Sequence, residues 1–500
     1  MTSYKFGSTT DPEKAAQIYG LCASEWGCGL NAKQFGSVER QRFEENHAHH
    51  RYNVGYYYED NETGEVVAST FVSSIPGFFK HVDTSSTAIP SSLSIGVQPM
   101  TALLVGHVFT AKSVRGQGLA SKLVANAIAA TEDDCLRREL DKDPEFARTV
   151  RGDDGRIDHD VANHYLAKKY VWYLNSAVGG YYERFGFKGY PVDAFMIPFS
   201  LVGQEEEEML VKAMESGEKM RDRSIKILKA GDEADSALIR YILQNKELQI
   251  VADLNKTNYH PQLSQRRRSS NSLTQIQSAA RFQNPAMAAM ANGVEPEKPH
   301  RVAFIPDYTF LHGMHIIEQA ESSFLWGGDQ AKYHQIVGAI ITNHATGQSH
   351  YVLWATQKYH KFVVLSVGRI DYHPNPGESV RHRRPSMVAS MAESDISHNY
   401  SDLELVMRVA CIVGKRRLPQ QPGLYICAPD LPLEMPEAAT LDFVTNYIAH
   451  QVPKDSENQV KLYSGDEFAK QMLPMLKKFG SNNPADVDFD WVYPSRLNWG

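Results

Sequence analysis

The sequence predicts a mixed α/β fold arranged as two domains. Three observations lead there. The chain has 500 residues, more than one ordinary core accommodates. Strand-like and helix-like apolar periods alternate along it. The order of elements in the first half, strand, helix, three strands, helix, strand, returns in the second.

In the first half, "TSYKFGS" at 2–8 is an edge strand. A helix follows, with Thr10 or Asp11 as cap, Pro12 in the first turn and Glu13 completing Thr-x-x-Glu. A second helix covers Lys33 to Glu45. "YNVGYYYED" and "EVVASTFVSS", joined by Asn61-Glu62-Thr63-Gly64, form a β-hairpin. Residues 74–100, rich in Ser, Thr and Pro, are expected to be an irregular insertion. A strand from Leu103 to Thr110, a glycine turn at Arg115 and a helix to about Thr131 come next. The polar segment 132–160 is expected to be a surface excursion, helical at its start. "KKYVWYLNS" returns as a strand, "VGGYYERFG" is a short helix ending at Gly186, and 187–200 holds a last strand pair.

The first domain is placed at 1–203 and a linker helix at 204–222, with Glu205–Glu208 as a solvated face. The second domain, 223–500, reads as a strand ("RSIKILKAG"), a helix ("DEADSALIRYILQN"), three antiparallel strands (333–343, 349–357, 360–370), a helix ("SDLELVMRVACIV") and a strand ("GLYICAPD"). No Arg-x-x-Gly-x-Ala precedes the helix at Leu403. Two stretches, about 261–298 and 374–397, are polar, broken by Pro or Gly and expected to be disordered. Each contains Arg-Arg-x-Ser, ending at Ser270 and Ser386, where a basic-directed kinase could act.

The hydrophobic fraction of 42% supplies sizeable cores, and a net charge of −7 with pI near 6.3 points away from nucleic acid. Five scattered cysteines form no CxxC pair, which argues against zinc and against a disulfide framework and fits a reducing, cytoplasmic setting. No apolar run is long enough for a membrane span, and no metal site is expected.

The chemistry concentrates at Arg115-Gly116-Gln117-Gly118-Leu119-Ala120, set between a strand and a helix. A helix start carries unpaired N–H groups and partial positive charge, and glycine lets backbone approach a phosphate. The spacing is neither a Walker loop nor Gly-x-Gly-x-x-Gly. Without a ligand, the same residues would make a tight strand-to-helix turn.

Arg115-x-x-Gly118-x-Ala120 after a strand, with Asn175 and then Tyr182-Glu183-Arg184-Phe185-Gly186-Phe187, resembles the GNAT family of acetyl-CoA-dependent N-acetyltransferases over residues 1–200. The resemblance implies a GNAT-like first domain followed by a second, degenerate GNAT-like domain, with acetyl-CoA as acetyl donor. It implies that the amides of Gln117 to Ser121, with Arg115, Gly116, Gly118, Leu119 and Ala120 shaping the turn, hold the CoA pyrophosphate. The edge of Val108, Phe109 and Thr110 would bond the pantetheine arm, and Asn175 would contact the cofactor. Tyr182 would protonate the departing thiolate, while Tyr181 is expected to fill the core. His107 has the wrong strand parity for the base, which stays unassigned.

The opening "SEWGCGLNAKQFGSVERQRFEENH" is similar to the start of the fungal lysine N6-acetyltransferases, through Trp26, Gly27 and Leu30, with Glu39-Arg40 in the reverse of the family order. This implies acetylation of free L-lysine to N6-acetyl-lysine. A polyamine, an amino sugar or a protein lysine are the alternative acceptors, and a non-catalytic acetyl-CoA-binding regulator is the alternative class.

Overall fold

The computed structural model describes residues 3–27, 29–80, 96–152, 154–255, 300–326, 329–357, 361–372, 396–433 and 435–498. Strand β1 (Tyr4–Thr9) leads to helices α1 (Pro12–Leu21), α2 (Ala23–Trp26) and α3 (Ala32–Ala48). Asp11 caps α1 by accepting from the Glu13 and Lys14 amides, and a reciprocal Asn31–Gln34 box opens α3. Strands β2 (Asn53–Asp60), β3 (Val66–Lys80) and β4 (Val97–Thr110) form an antiparallel run. The expected irregular insertion at 74–100 is therefore corrected at both ends. Ile75, Phe79 and Met100 alternate into the core and extend the strands.

Helix α4 (Leu119–Lys142) runs a further eleven residues beyond the expected end at Thr131. The segment expected to leave the surface keeps a helical buried stripe in Thr131, Cys135, Leu136 and Glu139. Its charges are also used: Glu132 accepts from the Trp172 indole at 2.9 Å, and Glu139 from Lys169 and Tyr170. Short helices α5 (Pro144–Thr149) and α6 (His159–Leu166) precede β5 (Tyr170–Ser176). Strands β6 (Lys188–Gly189) and β7 (Ala194–Pro198) follow.

Helix α7 (Gln204–Ser216) carries the acidic run, which is not simply a solvated face. Glu207 is buried and pairs with Lys415 at 2.8 Å and Arg416 at 2.7 Å, and Glu206 pairs with Arg408 at 2.5 Å.

The second half repeats the plan with β8 (Arg223–Lys229), α8 (Glu233–Leu254), β9 (His300–Phe304), α9 (Tyr308–Leu325), α10 (Asp329–His334), β10 (Ile336–Asn343), β11 (Gln348–Gln357), β12 (Lys361–Ile370), α11 (Ile396–Arg417) and β13 (Gly423–Cys427). Strands β14 (Lys461–Tyr463), β15 (Leu473–Lys478) and β16 (Phe489–Trp491) complete it. Apart from the start of α11, the stretches expected at 261–298 and 374–397, with Ser270 and Ser386, lie outside the described residues. No described helix is long and apolar enough to cross a membrane.

Two mixed sheets result. The first runs β1-β2-β3-β4-β5-β15-β6, with β9 beside β3 and β16 beside β9; the second runs β14-β7-β13-β12-β11-β10-β8. Each contains four antiparallel strands, β1 to β4 in one and β8 with β10 to β12 in the other, followed by a parallel pair, β4 with β5 and β12 with β13. The expected pair of related α/β units is thus formed. Their division at 203 does not coincide with the division between the sheets. Strand β7, from the first stretch of chain, joins β13 and β14, while β15, from the end of the chain, inserts between β5 and β6. The second sheet thus takes β7 from the first half, and the first takes β9, β15 and β16 from the second.

Candidate active site

The glycine turn stands at the end of β4. After one 3₁₀ turn (Lys112–Val114), Arg115 braces the loop, donating from Nε to the Thr110 carbonyl at 3.0 Å and from Nη2 to Glu25 at 3.1 Å. Arg115, and then Lys112, hold the Glu25 carboxyl below its ordinary range. Gly116 (φ 86°) and Gly118 (φ 75°) take left-handed conformations, and a Cβ on either would meet only open space. Glycine is needed there for the backbone and leaves room for a ligand.

Gly118 caps α4 without a side chain, and the first α4 bond to it comes from the Lys122 amide at 3.1 Å. The amides of Leu119, Ala120 and Ser121 therefore lack intrahelical acceptors, at the positive end of a helix of 24 residues. Leu119 is buried and anchors the helix start, and Gln117 accepts a hydrogen bond from the Tyr4 hydroxyl at 3.3 Å. Unpaired amides at a helix start can take an anion such as a pyrophosphate.

Next to it the sheet opens. Strands β4 and β5 pair from Thr101 with Tyr170 to Leu104 with Tyr173, and there the pairing stops. Beyond it, Val105 to Thr110 keeps β3 on one side, Phe109 lying opposite Ser69 and Thr110 opposite Ala68, and has no strand on the other among the described residues. Asn175 sits two residues past the last pair, opposite Pro474, which has no N–H to give. Both ends of its amide are buried without a hydrogen-bond partner, as is the Thr110 hydroxyl. Buried amides are almost always paired, so these atoms fit a ligand with amide groups of its own. The residues expected to hold acetyl-CoA thus stand on adjoining elements: the turn after β4, the open edge of β4, and Asn175 on the strand that parts from it.

The two tyrosines divide their work differently from expectation. Tyr182, on the 3₁₀ segment Gly179–Phe185, is the more buried, with its ring between Tyr181, Phe185 and Phe187. Tyr181, expected to fill the core, instead bonds Ser121 on the first turn of α4 at 2.8 Å, with Arg184 over its ring. The Tyr182 hydroxyl has no hydrogen-bond partner among the described residues. Burial, and then Tyr181, push its pKa up, so it keeps its proton at neutral pH.

On the opposite side of β4, a cleft is lined by Tyr19, Arg42, Asn53, Phe71, Ser73, Leu104 and His107, with Thr309, Phe310 and Gly313 of α9 closing it. His107 reaches it through a β-bulge. The register passes from Ser69 opposite Phe109 to Phe71 opposite Gly106, and His107 takes φ 52°. The extra residue resets the strand's alternation, so a parity count back from Arg115 misplaces His107. The available signal was Gly106, a glycine inside a strand, which marks a bulge.

His107 stands edge-on to Tyr19, Trp26 and Phe71, with Nε2 3.4 Å from Glu39. Arg42 pairs with the other Glu39 oxygen at 2.8 Å. Glu321 of α9 is pushed up to about 8 by burial and by the carboxylates of Glu39 and Glu318. Arg42 lines the cleft and pairs with Glu39 on the same helix, and Glu321 stands on α9, a helix not expected from the sequence.

No protein-family model matches the chain, and no curated protein matches it. Among solved structures, a GCN5-related N-acetyltransferase from Kribbella flavida is 9% identical with a TM-score of 0.35, over 95% of this chain and 71% of that one. A Saccharomyces cerevisiae N-myristoyltransferase with bound myristoyl-CoA and inhibitors is 9% identical with a TM-score of 0.37, over 97% and 82%. A tandem GNAT protein from the clavulanic acid biosynthesis pathway is 7% identical with a TM-score of 0.37, over 96% and 100%.

Proposed function

We propose that this chain is an acetyl-CoA-dependent N-acetyltransferase whose acceptor is the side-chain amine of free L-lysine, giving N6-acetyl-lysine and CoA. The observation that carries the reading is the buried, unpartnered Asn175 amide beside the open edge of β4, together with the uncapped start of α4. Pyrophosphate would sit on the amides of Leu119 to Ser121, and the pantetheine arm would lie along Val108–Thr110.

The reaction then rests on alignment of two reactants across β4. The neutral amine nitrogen attacks the thioester carbonyl carbon, the C–N bond forms and the C–S bond breaks. Tyr182 gives its proton to the departing sulfur, and His107, held by Glu39, takes the proton the amine loses. Lysine as acceptor is supported by the opening motif and by a cleft lined by Arg42 and His107 and backed by Glu39, which pairs with both, charges of both signs suited to a zwitterion.

The test is release of free thiol from acetyl-CoA with a panel of amines: L-lysine, L-ornithine, spermidine, glucosamine and a lysine-containing peptide. Lysine is expected to react fastest. Fast release with another member replaces the acceptor and keeps the reaction. Binding of acetyl-CoA with no release for any amine would instead identify a non-catalytic acetyl-CoA-binding regulator.

A further inference from the structure

We propose that Arg51 and Tyr173 form an anion subsite at the edge of the cleft, which holds the carboxylate of an amino-acid acceptor; the inference deepens the acyl-transfer reading and rests on it. Four residues stand in one row across four strands: Asn53 opposite Ser73, Ser73 opposite Leu104, Leu104 opposite Tyr173. Directly opposed residues face the same side of a sheet. The first three line the cleft, so Tyr173 stands on the cleft face of the sheet, at the point where β4 and β5 part.

Tyr173 is fully buried, and its hydroxyl has no hydrogen-bond partner. Arg51 precedes β2 and sits beside the row, two residues from Asn53. Its Nη2 pairs with Asp307, while its Nη1 is buried and unpartnered. Asp307 is held in place as the cap of α9, accepting from the Thr309 amide at 2.9 Å, so it occupies one side of the guanidinium and leaves the other. Arg51 and Arg42 both act electrostatically on the Tyr173 hydroxyl, against the burial that raises its pKa.

A buried guanidinium N–H and a buried phenol O–H, both without acceptors and both near positive charge, are costly to leave unpaired. One carboxylate would satisfy both with charge-assisted hydrogen bonds. A carboxylate alone would unbalance the charges there, since Arg51 faces Asp307 and Arg42 faces Glu39. An amino acid brings its own ammonium, and the site stays neutral. Simple diamines leave both donors empty, and a site built to bond a polar group rejects the analogue that lacks it.

The experiment pairs amino acids with their decarboxylated counterparts, lysine with cadaverine and ornithine with putrescine, and measures binding to the full chain by calorimetry without turnover. At least one amino acid is expected to bind at least about 100-fold more tightly than its diamine. Arg51→Met is expected to weaken that amino acid about 100-fold and leave the diamine unchanged. Tyr173→Phe, which keeps the ring, is expected to weaken it about tenfold and keeps the test valid if Arg51→Met does not fold. Equal binding of acid and diamine, equal loss of both in the variants, or no binding of any acid overturns the subsite. Thiol release is followed in parallel: release with diamines alone overturns the subsite and leaves acyl transfer standing, whereas acid binding that needs Arg51 without release with any amine does the reverse.

Discussion

Asn175 is held with neither end of its amide bonded, a state that costs about 1–3 kcal/mol in a folded protein. Asn175→Ala removes the unsatisfied group, so the ligand-free chain is expected to melt at the same temperature or higher. Acetyl-CoA affinity should fall about tenfold, the loss of one hydrogen bond of about 1.4 kcal/mol. Calorimetry and thermal melts check both; lower stability with unchanged affinity would make Asn175 a packing residue. Gly118→Asp places a side chain at φ 75° and a negative charge where the pyrophosphate would lie, and is expected to abolish measurable acetyl-CoA binding. Tyr182→Phe should keep cofactor affinity and lower the rate by roughly ten- to ten-thousand-fold, the range for a lost general acid. Tyr181→Phe gives up only the bond to Ser121 and should cost about 1 kcal/mol of stability with a near-normal rate. Exchanged phenotypes would move the acid to Tyr181.

At the scale of elements, α7 is tied to α11 by carboxylates rather than turned to solvent. Burial works to raise the Glu207 carboxyl, but Lys415 and Arg416 outweigh it and the net shift is downward. A carboxyl lowered by folding stabilises above its unfolded pKa and loses that contribution as pH falls through the folded value. Glu207→Gln should therefore cost about 1–2 kcal/mol at pH 7, where the half-exposed cations are partly screened, and less and less as the pH falls below about 4. Urea melts at the two pH values check this; an equal cost at both would remove the ion pairs from the account.

The acidic run shows why sequence legibility was uneven. Glu-Glu-Glu-Glu announces a helix face but not what faces it, because Arg408, Lys415 and Arg416 lie some two hundred residues away. The same holds for α4, whose polar extension reads as surface until Glu132 and Glu139 find Trp172, Lys169 and Tyr170. Elements with strong local signals were readable: the Asp11 start of α1, the hairpin of β2 and β3, the three strands β10 to β12, and the glycine turn. Within the site, the strand edge and the turn were legible because they adjoin along the chain, and Asn175 because it stands near the end of a strand with a strong local signal. His107 could not, since a single bulge reverses its face, and neither could α9, whose contribution depends on docking against a distant helix.

The whole molecule is two related sheets with one candidate cofactor site. In the second half, the Lys246 ammonium is buried, donating to Ser366 at 2.9 Å, with the Tyr351 hydroxyl 3.1 Å from the same oxygen. No Arg-x-x-Gly-x-Ala turn precedes α11 in the sequence. One acetyl-CoA per chain is expected by calorimetry, and two would require a second site.

The reciprocal exchange of β7 and β15 also makes the halves interdependent. Residues 1–203 alone would leave β5 without its neighbour β15, so that fragment should not fold, and the full chain should melt in one transition. Two separate transitions, or a folded fragment, would show that the exchange is dispensable.

That exchange has a consequence for synthesis. The β5 edge leaves the ribosome early, yet its partner β15 lies about 300 residues further on. At ~5–20 residues per second, the wait is roughly 15–60 s. Throughout it the nascent sheet shows an unpaired, largely apolar edge, the kind of surface that captures other strands. The finished protein hides this hazard; the growing chain cannot, and its yield in a cell should depend on how well chaperones guard that edge until the last strand arrives.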